Sequence, residues 1–211
     1  DTETIDLASL TTIGQSFQLN TNRDLENLNL ASLVEIGGEL ELNSNSSLAT
    51  LSAPNLNTIE GSLRFYSNSG IEDISFASLT TIEGQFRFEY NHYVENLSLP
   101  ALTEIKGQIY MYSNERLETI DLQGLIEIGS YVEIQNNYQV KEALFDSLET
   151  VNGYFQLYSL NQISTFELPA LLEVNGNFNL SNNSKMEHFG APLFAELSGS
   201  LTLRDNTDLQ T

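Results

Sequence analysis

Six tyrosines, Tyr66, Tyr110, Tyr112, Tyr131, Tyr154 and Tyr158, stand with Arg64, Arg87, Glu89 and Glu133 at separations built from 2 and 23 residues. The chemistry open to such a set is non-covalent. Phenol rings offer apolar faces with a polar handle, while guanidinium and carboxylate groups supply directional hydrogen bonds. Nucleophilic catalysis is poorly served: the chain has no cysteine and only two histidines. His92 has no nucleophile at a repeat-consistent distance, and His188 reads as a surface residue. Glu89 and Glu133 could pair as in a glycosidase, but they lie two repeats apart, about 10 Å by strand spacing. No long loop walls a cleft around them, and the reading is that the protein is not an enzyme.

What must position these residues is a repeat. Blocks of 23 residues starting at Asp6, Asn29, Ser52, Ser75, Ser98, Asp121, Leu144, Glu167 and Gly190 align without a gap. The fifth position reads Leu10, Leu33, Leu56, Leu79, Leu102, Leu125, Leu148, Leu171 and Phe194, and the eighth is Ile, Val or Leu throughout. A period of this length signals stacked units, none of which can bury its apolar face alone. The strongest strand covers positions eleven to fifteen, where Ile109 and Met111 point inward and the alternating residues point out. Leu201 and Leu203 are the inward pair of the ninth coil. Position ten holds glycine in seven blocks, as in Gly61, Gly84 and Gly107, which predicts a corner with positive φ. The asparagine column from Asn22 to Asn206, broken only at Leu160, predicts a turn ladder with residues in the αL region. Positions twenty and twenty-three, such as Leu25 and Leu28, predict a second short strand, which the chain leaves at Pro54, Pro100, Pro169 and Pro192. The fold expected is mainly β: a right-handed parallel β-solenoid of nine coils with three faces and almost no helix.

Composition sets the outer limits. With 29 acidic against 8 basic side chains the net charge is −21, which opposes nucleic acid and anionic membrane surfaces. No apolar run is long enough for a membrane helix. The glutamate columns, at Glu35, Glu104, Glu127, Glu173 and Glu196 and again at Glu26, Glu72, Glu95, Glu118 and Glu187, read as a solvated acidic surface. They lack the loop spacing of dedicated calcium sites, so no cofactor is expected, calcium being the one alternative. The whole chain, 1–211, reads as one solenoid domain. Asp1 to Ile5 fit the end of a preceding coil and Thr211 stops one position short of a full block, so the expectation is an excerpt of a longer surface protein with end-to-end or domain contacts at its termini.

The pattern L-x-x-I-x-G-x-L-x-L-x-x-N-x-x-L-x-x-L-x-L-P, carried by Leu56 to Phe76 and Leu102 to Leu122, resembles leucine-rich solenoids of two kinds. They are the receptor L domain and the repeats of BspA-type bacterial surface proteins. The resemblance implies a cell-surface or extracellular setting and no catalytic residue. The cysteines common in both kinds are missing here. Asn45, Asn96, Asn179 and Asn182 fit glycosylation acceptor sequences, but the reading favours a bacterial source. All nine tyrosines lie between Tyr66 and Tyr158, six of them outward on the long sheet. Strand propensity would act on all coils alike, so the concentration predicts an adhesion surface for a glycan or a protein partner. Tyr90, His92, Tyr93 and Tyr138 border it. The competing reading is a structural spacer or stalk; ice binding is excluded by the lack of a threonine row.

Overall fold

The computed structural model describes residues 3–210, so Asp1, Thr2 and Thr211 lie outside the described residues. Each coil contributes three short strands, and each strand pairs in parallel with its equivalent 23 residues away. The long sheet has nine four-residue strands from Phe17–Asn20 to Leu201–Arg204. Two-residue strands such as Glu104–Ile105 form a second nine-stranded sheet at positions seven and eight, which the sequence pattern did not single out. The third face carries three-residue strands in sheets of four, three and two strands. No helix occurs among the described residues.

The register explains why alternation was readable. Phe86 pairs with Ile109 and Phe88 with Met111, all buried, while Arg87 faces Tyr110 and Glu89 faces Tyr112 on the other side. The long strands begin at position twelve, so Tyr131 and Tyr154 sit immediately before their strands. On the third face the strand is Asn27–Asn29 and its equivalents. Leu28 is therefore inside it, whereas Leu25 lies in the preceding turn, still buried. In the ninth coil Leu201 and Leu203 keep their register but are 56% and 44% exposed, because no described coil covers them.

Two turn assignments change. No glycine has positive φ; the left-handed residues are Thr21, Ser44, Ser67, Tyr90, Ser113, Asn136, Ser159, Asn182 and Asp205, one position ahead of the asparagine column. The glycines at position ten serve close approach instead. A Cβ on Gly107 would stand 2.6 Å from the Gly84 carbonyl oxygen, and one on Gly61 2.6 Å from the Gly38 carbonyl carbon. The asparagines do form a ladder, but from ordinary backbone geometry. The Asn91 amide N–H donates to Asn114 Oδ1 (2.9 Å), Asn114 N–H donates to Asn137 Oδ1 (2.9 Å), and Asn114 Nδ2 donates to the Phe88 carbonyl (2.9 Å). Buried side-chain amides thus cross-link successive coils without leaving donors unpaired.

Candidate functional site

The outward residues of the long sheet are held by what lies beneath them. Phe65, Phe86 and Phe88 are fully buried under coils three and four, with Phe65 and Phe88 packed edge-to-face at 5.8 Å. A packed aromatic layer fixes the strands, and the strands fix the side chains on their other face.

The predicted residues fall into two groups joined by a polar link. In the first, Tyr66 and Tyr112 lie two coils apart with Glu89 between them in register. Tyr90 closes the gap, meeting Tyr66 at 5.4 Å and Tyr112 at 5.3 Å, each with an interplanar angle of 75°. Tyr110 stacks beside Tyr112 at 6.4 Å, and the Arg87 guanidinium lies 4.9 Å from the Tyr110 ring centre. In the second group Tyr131 and Tyr154 stack at 4.5 Å with planes 7° apart. The link runs through Glu133: the Tyr154 hydroxyl donates to its Oε2, and Gln135 Nε2 donates both to Glu133 Oε1 (2.8 Å) and to Tyr110 Oη (3.3 Å). Tyr158 shares the column of Tyr112 but makes no ring pair among the described residues.

The charged members are held in place. Glu89 is 9% exposed and its Oε1 accepts from Arg87 Nε at 2.8 Å, with the second guanidinium nitrogen at 2.7 Å. Arg64 reaches Glu39 Oε2 at 3.0 Å. Beside Tyr66, which is 44% exposed, Glu41, Asn43, Arg64, Arg87 and Glu89 line an open depression of about 360 Å³. Burial raises the Tyr154 phenol above the usual tyrosine range, and its bond to Glu133 adds to the effect. Tyr110 moves the same way, again chiefly through burial. Burial, followed by the neighbouring Glu39, also holds the Glu41 carboxyl above the ordinary carboxylate range.

Tyr90 is the member that sequence reasoning left at the edge. It has φ 56°, in the region that L-residues other than Asn, Asp and Gly seldom occupy. Its column otherwise holds only Thr, Ser, Asn and Asp, and that contrast was the available signal. A bulky left-handed residue costs about 1–2 kcal/mol, and at Tyr90 that cost is offset by contacts with the two rings on either side. Of the other bordering residues, His92 meets Tyr90 edge-on at 6.2 Å; its Nδ1 is 3.8 Å from Glu115 Oε1, too far for a hydrogen bond. Tyr93 lies beneath Arg116, 4.3 Å from ring centre to guanidinium, and Tyr138 is exposed. His188 pairs with Glu167 at 2.9 Å on the third face, away from this sheet.

The acidic columns behave as separate surface features. Glu104 and Glu127, and likewise Glu173 and Glu196, are register neighbours on the two-residue sheet. Among the described residues no three acidic, histidine or cysteine side chains converge as a metal site.

No protein-family model matches the chain, and no curated protein matches it. Among solved structures the chain is similar to a leucine-rich repeat protein from Bacteroides ovatus ATCC 8483, at 16% identity and a TM-score of 0.44. The alignment covers 95% of this chain and 63% of that one, so this chain spans less than two thirds of the other's length. The fold assigned here rests on the strand pairing itself: a cysteine-free, all-β parallel solenoid of leucine-rich coils that presents one tyrosine-bearing sheet face.

Proposed function

We propose that the chain is a non-catalytic recognition module, acting outside the cell or at its surface, which binds a glycan or protein partner through the tyrosine face of its long sheet. The observation that carries this reading is Tyr90. A strained backbone at a bulky residue persists only where its surroundings over-determine it, and such residues cluster at ligand-binding positions. Every coil is left-handed at this position, and only here does the turn carry a phenol ring, which stands between Tyr66 and Tyr112 and makes one continuous row from separate side chains. Confinement of the tyrosines to coils three to seven supports the same reading, since packing or strand preference alone would distribute them along the whole stack.

The test replaces Tyr110, Tyr112, Tyr131 and Tyr154 together by serine. Adhesion to cells and retention on a glycan array are then measured beside the thermal transition. Lost adhesion with a preserved transition is the expected result. Adhesion equal to the parent's, or a collapsed transition in a protein for which no ligand is found, would favour a spacer role for the solenoid and overturn the proposal.

A further inference from the structure

Resting on that reading, the geometry points to one ligand class: an extended, uncharged glycan chain lying obliquely across coils three to seven. Three observations carry this. The first is charge. The chain bears a net −21, yet the twenty-seven outward positions of the long sheet, eleven, thirteen and fifteen of each coil, hold four glutamates against three arginines, a net of −1. All three arginines are already neutralised by contact, Arg87 with Glu89, Arg64 with Glu39 and Arg204 with Asp205. An acidic ligand would meet no free positive charge here, and a cationic one would meet far denser negative charge on the other faces.

The second observation is composition. Apart from these charges the twenty-seven positions carry tyrosine, glutamine, asparagine, serine and a single threonine, without one aliphatic side chain. Protein interfaces draw on an apolar centre that is depleted in serine and charge. A surface of phenol rings, amides and hydroxyls instead matches sugars, whose C–H faces lie against aromatic rings while their hydroxyls exchange hydrogen bonds. The acceptors are already oriented, Glu133 by Tyr154 and Gln135 and Glu89 by Arg87, which reduces the ordering cost of binding.

The third is periodicity. Tyr66, Tyr90 and Tyr112 place rings at one end of the long strands in coils three to five, Tyr131 and Tyr154 place them at the other end in coils six and seven, and Tyr110 lies between, so the rings follow an oblique path over five successive coils. Successive coils are about 4.8 Å apart and positions eleven and fifteen about 13 Å apart along a strand, so the path covers about 19 Å along the axis and about 23 Å in all. Rings carried on each of five coils fit a linear ligand that itself repeats, rather than a single compact group.

Affinity electrophoresis in gels containing neutral, uronic-acid-bearing or amino-sugar polysaccharides tests this, alongside a phage-displayed peptide library, with the parent and with Tyr112→Ser and Tyr131→Ser. The neutral polymers are expected to retard the parent equally at low and high salt, with each variant at least tenfold weaker. Neutral oligosaccharides should bind more tightly with each added unit until they span about 23 Å. Retardation only by charged polymers, or retardation abolished by salt, overturns this inference while leaving the tyrosine face a recognition surface. Peptide capture that the same substitutions abolish, without glycan binding, does likewise. If no probe distinguishes parent from variants, both the inference and the recognition reading fall.

Discussion

Replacing Tyr90 by asparagine separates strain from recognition, because the solenoid itself uses asparagine at this left-handed position in Asn136 and Asn182. The backbone bond from Tyr90 N–H to the Tyr112 carbonyl, 3.0 Å, does not involve the side chain and survives. Lost are the edge-to-face contacts with Tyr66 and Tyr112, about 0.5–1.5 kcal/mol each, or about 1–3 kcal/mol together. Gained is relief of the bulky left-handed residue, about 1–2 kcal/mol. The two nearly cancel, so urea denaturation should place Tyr90→Asn within about 1 kcal/mol of the parent. Retention on the immobilised ligand should nevertheless fall tenfold or more, since the row from Tyr66 to Tyr112 is interrupted. A variant that is clearly more stable and binds as before would show that Tyr90 is a tolerated outlier with no part in recognition.

The asparagine ladder should be the costliest place to intervene. Asn114→Leu removes the bonds from Asn91 N–H, to the Phe88 carbonyl and to Asn137 Oδ1; at about 1 kcal/mol each, with a buried donor left unpaired, it should cost about 2–4 kcal/mol by urea denaturation. Gly107→Ala pushes a methyl against the Gly84 carbonyl and should cost about 1–3 kcal/mol, whereas Gly14→Ala, with nothing within 4 Å of its Cβ, should leave the melting temperature unchanged or slightly raised. Glu41→Gln addresses a carboxyl held above its ordinary value of 4.5. A proton bound more tightly in the fold than in the unfolded chain means that ionisation costs stability at higher pH. The variant should therefore melt higher than the parent near neutrality, and the gap should narrow as pH falls toward 4.5 and be closed below it.

The register of the long sheet was legible because the period never slips: one inward column in one coil fixes the same column in all nine. Outward placement of Tyr66, Tyr110 and Tyr112 followed from that alternation alone. The glycine column was misread because a sequence reports the residue type and not which constraint selects it. Gly84 and Gly107 are needed for contact between coils, an inter-coil distance that no single repeat displays. The left-handed position was hidden for the complementary reason, since serine, threonine and asparagine there look like ordinary turn residues. The division of the tyrosines into Tyr66–Tyr90–Tyr112–Tyr110 and Tyr131–Tyr154 depends on side-chain directions, which periodicity does not encode.

Leu160 shows why a recognition face can be written onto this solenoid without disturbing it. It replaces an asparagine of the ladder, is fully buried, and still donates its backbone N–H to Asn183 Oδ1 at 2.9 Å. The side-chain bonds that its neighbours in the column make are absent, from the Asn137 N–H and to the coils on either side, yet strand pairing continues on both sides, with Gln135 facing Tyr158 and Tyr158 facing Ser181. Stability in a stacked array is a sum of coil and nearest-neighbour contributions, so a departure in one coil is felt mainly by the coils beside it. Outward residues of the long sheet are freer still, because the buried columns and the ladder fix the backbone without them. The cost of placing tyrosines there is therefore local and small, and the one exception is Tyr90, a bulky ring at a turn position that is left-handed in every coil. That exception lies midway between Tyr66 and Tyr112, where a continuous row requires a ring and packing of the core does not.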